Sequence, residues 1–575
     1  MSQEIAKEAG GGDYFENALF SRILNPIAYR EFVTTFRTPR AFVLLVGPAV
    51  ITTLLVLLQW PSEGISEPAG HRALKVFGYF GYGLGVVTCL LAPVVPAVSI
   101  VKERIKGTLQ LLLHSPMSPF SMSLGKLVGS VLPLLLSLTM TLPAAAACYS
   151  MGGITLPHHI LPLYVLLVLL TVQLSSLSLA ISSYGKSIDS TVRLAFGGML
   201  IVVVGVLGPY QIFQGADNPT HVLITDWLRH VSPIPALTEI LGHADVGGQG
   251  IATNTSSFLR YCIASGICTL VGCVVTASRM HIRIFDEARD SGVMTEDRST
   301  IEQVFRRLVF LVDPQRRSGN IGNWTNPVLM KEFRCRRFGR ASWILRLVAV
   351  SAVASMTVTY LAATGVQNWS VETIGALLII LQMALILLLA PGMSAGLMAT
   401  ELESRSWTML RMTPQSSFSI AFGKLLSVAW PMFLVLLATL PGYIVMIYLR
   451  PILKQQVLMV VGSLLLATLF SVLVSTAIGS CFRKNTSATV CSYAVLTSLT
   501  AITFLIWMGR GAPFGFALVE WALIVNPVSS ALALMETKGM EGYEIMPWNW
   551  YFLSTTSFLA AVWFWMRIYR LRQPD

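Results

Sequence analysis

Two short polar runs, set 298 positions apart, hold most of the recurring chemistry of this chain. Residues 103–126 read ERIKGTLQLLLHSPMSPFSMSLGK, and residues 401–424 read ELESRSWTMLRMTPQSSFSIAFGK. In this register Glu103 meets Glu401, Pro116 meets Pro414, Ser118 meets Ser416, and Gly125-Lys126 meets Gly423-Lys424. Across 103–143 and 401–441, 15 of 41 positions are identical. Chance matching in apolar-rich sequence gives roughly 4 or 5, so the chain is a tandem duplication. A carboxylate at the head of a helix is favoured by the helix dipole, which places Glu103 and Glu401 at the starts of two amphipathic helices. The apolar positions that follow (Leu109, Leu112, Leu113) are too few to span a bilayer. Such a helix lies against the membrane or a partner, and its retention in both copies implies a docking surface used twice.

Other candidate chemistries fail on context. Residues 180–187, AISSYGKS, match a phosphate-binding loop if Ala180 replaces the first glycine. That loop needs a preceding strand and a following helix so that backbone N–H groups cradle phosphates. Here it is the end of an apolar run, and the aligned copy carries Arg483 and Asn485 in place of Gly185 and Ser187. His158-His159 reads as a surface pair rather than a metal site. The eight cysteines show no C-x-x-C spacing, so neither a disulfide framework nor a metal site is read. Gln173 and Gln382 are the main polar side chains deep in apolar runs. Ion-coupled carriers keep buried carboxylates or broken helices for their ion, which argues against that class. Gly78, Gly81, Gly83 and Gly85 suit close helix packing, and Pro93 and Pro96 suit a kink.

The elements that position these residues follow from composition. The chain is 54% hydrophobic and 12% charged, against about 25% charged in soluble domains. The class is therefore an all-α polytopic membrane protein, and the net charge of +12 belongs to loops rather than to nucleic-acid binding. No signal peptide is visible, and residues 1–20 read as disordered. Apolar runs at 41–60, 76–101, 124–151, 160–184, 193–214 and 257–278, then 342–364, 371–399, 422–449, 455–481, 488–508 and 548–566, predict 12 transmembrane helices. Six per half makes two parallel six-helix repeats. With the N-terminus inside, inner segments hold 32 lysines and arginines and outer loops hold 7. Both termini and both polar runs are then cytoplasmic.

The domain reading is a first repeat at 1–278, a cytoplasmic linker at 279–325 and a second repeat at 326–575. Asn25-Pro26 with Arg30-Glu31, echoed by Asn326-Pro327 with Lys331-Glu332, predicts an interfacial helix before each set of spans. Ser299 and Glu302 fit a capping box ahead of an amphipathic linker helix near 301–312. The Pro-containing pieces 232–237 and 526–532 could dip into the outer leaflet as short re-entrant helices. Asn254 and Asn368 match the glycosylation pattern, one that is common by chance.

Glu103 with Gly107-Thr108-Leu109, then Pro116, Ser118 and Gly125-Lys126, resembles the E-x-x-x-G-T-L … P-x-S … G-K signature of ABC-2 type transporter permeases. The Asn25-Pro26 piece resembles that family's elbow helix, and 232–237 and 526–532 its re-entrant piece. The second copy keeps Glu401, Glu403, Pro414, Ser416 and Lys424 but has Arg405 for the glycine and Ser406 for the threonine. The resemblance implies a cell-membrane permease, an exporter, whose cytoplasmic helices 103–121 and 401–419 dock separate ABC ATPase subunits, two per chain. ATP and Mg would be bound by those subunits, and this chain would hold no cofactor and catalyse nothing. The transport path would run between the two halves. Alternatives are an ATP-independent channel or carrier, and a membrane anchor for an ATPase-driven process outside the cell.

Overall fold

The structure, a computed structural model, describes residues 25–58, 71–210, 219–241, 256–280, 326–335, 348–356, 371–508 and 515–573, short breaks inside these ranges excepted. The N-terminal 20 residues, the linker helix at 301–312, most of the run at 342–364, Lys186-Ser187, Asn254 and Asn368 lie outside the described residues. Every described element is helical, which makes this an all-α polytopic membrane protein. The chain divides into two compact units, separated in sequence near residue 292.

The first unit contains α1 (Pro26–Phe36), α2 (Pro39–Leu58), α3 (His71–Leu91), α4 (Val94–Lys106), α5 (Thr108–Leu113), α6 (Pro119–Thr139), α7 (Leu142–Ser150), α8 (Leu161–Tyr184), α9 (Ile188–Leu200), α10 (Pro219–Arg229), α11 (Ile234–Ile240) and α12 (Ser257–Arg279). The second contains α13 (Pro327–Cys335), α14 (Val371–Ser394), α15 (Gly396–Glu403), α16 (Trp407–Arg411), α17 (Ser417–Leu449), α18 (Lys454–Ser480), α19 (Asn485–Met508), α20 (Phe516–Val525), α21 (Ser529–Leu534) and α22 (Trp548–Arg572). The order repeats: a short lead helix, a span that breaks, a short amphipathic helix, long spans, a helical hairpin and a last span.

Among the described residues eight helices are long and apolar enough to cross a membrane, or nine if the bent pair Pro26–Phe36 with Ala41–Leu57 is one span. The run at 193–214 yields a shorter apolar helix, Ser190–Gly205, whose last residues form a π-turn. Helix α22 has 25 residues, but its tryptophans and tyrosines lower its hydropathy. Trp548 and Tyr551 stay exposed near one end, Trp565 and Tyr569 near the other. Aromatic residues of this kind favour the two membrane–water interfaces.

Pro93 sits at the break between α3 and α4. The duplicated Pro143 and Pro441 behave differently. Pro143 lies in the first turn of α7, after a break at Met140-Thr141, whereas Pro441 is carried inside the 33-residue α17. The hairpins α10–α11 and α20–α21 each stand just before the last long helix of their unit, α12 or α22. The buried amides serve this packing. Gln173 donates to the Val231 carbonyl at the hairpin turn (3.1 Å) and accepts from the Tyr261 hydroxyl (3.0 Å). Gln382 accepts from the Tyr443 hydroxyl (3.1 Å). Asn549 of α22 donates to the Ile524 and Asn526 carbonyls of the second hairpin at 2.7 and 2.8 Å. Satisfying such groups internally matters most where no water can replace the partner.

Candidate functional site

Each copy of the polar run folds into a clamp, and each residue of the motif has a local reason to be there. Asn25 caps α1: its Oδ1 accepts from the Ile27 N–H (3.1 Å), and Pro26 follows at the first helical position. Its Nδ2 donates to the carbonyl of Ser121 (2.7 Å) and to its hydroxyl (3.0 Å). Asn326 repeats both roles, capping at Val328 (2.9 Å) and donating to the Ser419 carbonyl (2.7 Å). The lead helix is thus tied to the start of α6 or α17. Ser118 and Ser416 cap those helices, accepting from the Ser121 and Ser419 N–H groups at 3.2 and 3.1 Å. Gly125 and Gly423 are required by contact. A Cβ there would sit 2.8 Å from the Asn25 side chain or 2.9 Å from that of Asn326.

The lysine after each glycine is fully buried and closes an ion cluster. Lys126 Nζ lies 2.8 Å from Glu103 and 3.2 Å from Glu31, and it donates to Ser99 Oγ at 3.2 Å. Arg30 also pairs with Glu103. In the second copy Lys424 Nζ lies 2.8 Å from Glu401 and 3.0 Å from Glu332, and donates to the Leu397 carbonyl at 3.1 Å. Lys331 pairs with Glu401 at 2.8 Å. Two cations face two carboxylates each time, so each cluster is neutral. A buried charge is tolerable only when paired and hydrogen-bonded in this way.

This geometry corrects the expected position of the acidic residues. Glu103 and Glu401 do not start the amphipathic helices; they lie near the C-terminal ends of α4 and α15. A carboxylate is unfavourable at that end of a helix dipole, and the lysine opposite it supplies the compensation. The amphipathic helices begin after a left-handed residue, Gly107 at φ 74° or Arg405 at φ 56°. Glu403, exposed on the same turn, accepts from the Asn485 N–H at 3.0 Å and so holds the start of α19.

Helices α5 and α16 then lie with one side packed inward. Leu109 and Leu113 are buried with Ile27, Ile100, Met122 and Met280. Trp407 and Leu410 are buried with Val328, Met398, Ile420 and Ile568. In the second copy the Trp407 indole donates to the Leu571 carbonyl (3.1 Å) and Arg411 Nε to the Arg572 carbonyl (3.1 Å), covering the open end of α22. The other side faces outward: Leu111 is 76% exposed and Met409, its counterpart, 78%. Phe120 and Phe418 are also exposed at matched positions, as are Thr108, Pro116 and Pro414. Two equivalent helices, each anchored from behind, therefore present bare apolar side chains in front.

Residues 25–240 match the family model described as ABC-2 type transporter. Over these residues the chain is similar to that family. The match begins at the cap of α1 and ends at the last residue of α11, so it takes in the clamp, the first amphipathic helix and the first hairpin of the first unit. No curated protein matches the chain.

Phe120 recurs in the sequence as Phe418, but Leu111, exposed in the first unit, lies outside the apolar stripe of Leu109, Leu112 and Leu113 that the sequence suggests. The repeat itself carries the signal, since Leu111 and Met409 are apolar in both copies yet out of phase with the buried positions. A further cluster was also missed. In α10, Asp226 pairs with Arg229 (2.9 Å) and with Arg260 of α12, and Arg229 stacks 3.9 Å from the Tyr210 ring. It pins the first hairpin to the last span. The phosphate-loop-like stretch is the C-terminal end of α8, where Arg104 donates to the Ser183 and Gly185 carbonyls at 2.7 and 2.5 Å. Among the described residues no group of His, Cys, Asp and Glu could hold a metal.

Proposed function

We propose that the chain is the membrane-spanning permease of an ATP-binding-cassette exporter, with two fused permease halves of six spans each and an ATPase subunit docked under each half. ATP and Mg are handled by those subunits, and this chain performs no catalysis. The observation that carries the reading is the duplicated presentation of Leu111 and Met409 on clamped helices, 76% and 78% exposed. The clamp explains why such a helix transmits force. It joins the lead helix, the second span and the third span of its half, so displacement of the amphipathic helix is handed to three elements at once. The bias of 32 basic residues inside against 7 outside supports a cell-membrane orientation with both helices and both termini cytoplasmic.

The test is purification from native membranes under mild detergent, followed by identification of nucleotide-hydrolysing partners. An ATPase recovered at two per chain supports the reading. A complex that moves substrate with no such partner selects the channel or carrier instead.

A further inference from the structure

We propose that the first unit holds one buried water molecule at the break between α3 and α4, where a carbonyl and a hydroxyl are left short of partners. Proline has no N–H, so Pro96 withdraws the donor that the Ala92 carbonyl, four residues earlier, would meet in a continuous helix. Ala92 is buried. Among the described residues its carbonyl accepts only from Ser175 Oγ, at 3.4 Å, a long and weak bond. The second unit meets the same need with a side chain. Ala390 and Pro391 match Ala92 and Pro93 there, but Ser394 stands in place of Pro96. The Ser394 hydroxyl donates to the Ala390 carbonyl at 2.6 Å, and α14 runs through Pro391 to Ser394 without a break.

The first unit has a cavity at this place. It lies among α2, α3, α6 and α8 and offers about 10 Å³, close to the least that one water requires. Thr88, Ala92, Ser137 and Thr171 are in its wall, with no charged side chain, which suits a neutral occupant. Ser137 is buried yet makes no hydrogen bond among the described residues. Ser123 and Ser130 on the same helix both donate to the carbonyl three residues earlier. Thr88 and Thr171 donate to the Leu84 and Leu167 carbonyls at 2.8 and 2.7 Å, and their lone pairs remain to accept. A water here has a donor in Ser137 and acceptors in Ala92, Thr88 and Thr171, the set of partners that a buried water needs. In the second unit Ile386 and Val435, both buried, replace Thr88 and Ser137. The polar wall is therefore absent where a side chain already satisfies the carbonyl. Backbone groups freed by proline in a membrane helix are satisfied by hydroxyls and ordered water. The bound water ties the break to α6, the helix that carries Lys126 of the clamp.

The full chain is purified in detergent, and the unfolding midpoints of two variants are compared with its own. If the cavity were dry, Ser137→Val would raise the midpoint, because it trades an unpaired hydroxyl for the side chain that the second unit carries. With water bound, Ser137→Val lowers it by several degrees, and Ser137→Val/Pro96→Ser, which copies the second unit, restores most of the loss. A midpoint unchanged or raised by Ser137→Val overturns the proposal, as does a loss that Pro96→Ser fails to restore. A second measurement needs no variant. Brief radiolysis oxidises side chains beside bound water as well as exposed ones. Leu138 lines the cavity, and Leu436 is its counterpart in the second unit; they are 5% and 4% exposed. The expected result is severalfold more oxidation at Leu138, and equal oxidation of the two overturns the proposal. No partner is needed in either experiment, so failure here leaves the transporter reading standing, and the reverse holds.

Discussion

Arg405 and Gly107 occupy the same left-handed turn, and only one of them suits it. A residue with a Cβ pays about 1–2 kcal/mol in that region, whereas glycine adopts it freely. Glycine gives back about 0.5–1 kcal/mol through the entropy of the unfolded chain. Arg405→Gly should therefore raise stability by up to about 1 kcal/mol, seen as a higher midpoint of thermal unfolding in detergent, and Gly107→Ala should lower it by a similar amount. An unchanged midpoint for both would show that these turns relax. The sequence showed the motif to depart at Arg405 but gave no reason for it. The backbone supplies one: the chain keeps the turn and tolerates the strain. Lys126 and Lys424 were legible as recurring residues, yet their burial was not. A lysine in a polar run reads as solvated until the lead helix, about 95 residues earlier by the Glu31–Lys126 spacing, folds over it.

At the scale of elements, the two clamps share a plan but not a degree of burial. Glu31 and Glu103 expose 24% and 12% of their side chains, Glu332 and Glu401 only 4% and 8%. Removing one partner of a buried pair costs about 3–5 kcal/mol, because the remaining charges stay desolvated. Lys424→Met should sit at the upper end of that range and Lys126→Met below it, since water reaches Glu31. Replacing both carboxylates along with the lysine, as in Glu332→Gln/Glu401→Gln/Lys424→Met, should recover most of the loss. Unfolding midpoints of the purified variants check the order, and equal losses in the two halves would contradict it. The helices themselves were legible from apolar runs, caps and prolines. The break in the third span of the first half, and its continuity in the second, were not, because Pro143 and Pro441 read identically in sequence and only their neighbours differ.

At the scale of the molecule, the internal repeat pointed to two alike halves, and the Pro-containing pieces fall in the hairpins α10–α11 and α20–α21. The aromatic last span passed as an apolar run by eye although its hydropathy is modest. The orientation leads to a direct expectation. A single cysteine at position 158 should react with an impermeant maleimide from outside intact cells, and one at position 118 only after permeabilisation. Reaction of both from the same side would reject six spans per half. Among the described residues the Asp226–Arg229–Arg260 cluster has no counterpart in the second hairpin, where Glu520 accepts from the Glu544 N–H instead. The two halves are therefore alike at the clamp and unlike at the hairpin.

The claim that unites these scales is that two clamped helices dock two ATPase subunits. Leu111 and Met409 touch little of their own chain, so Leu111→Asp and Met409→Asp should leave expression and unfolding midpoints unchanged. The decisive measurement is the amount of ATPase recovered per chain with each variant and with the pair. The account predicts that each single substitution removes about half of the bound ATPase, and that the double substitution removes nearly all of it. Full ATPase recovery with the double variant would contradict the docking role.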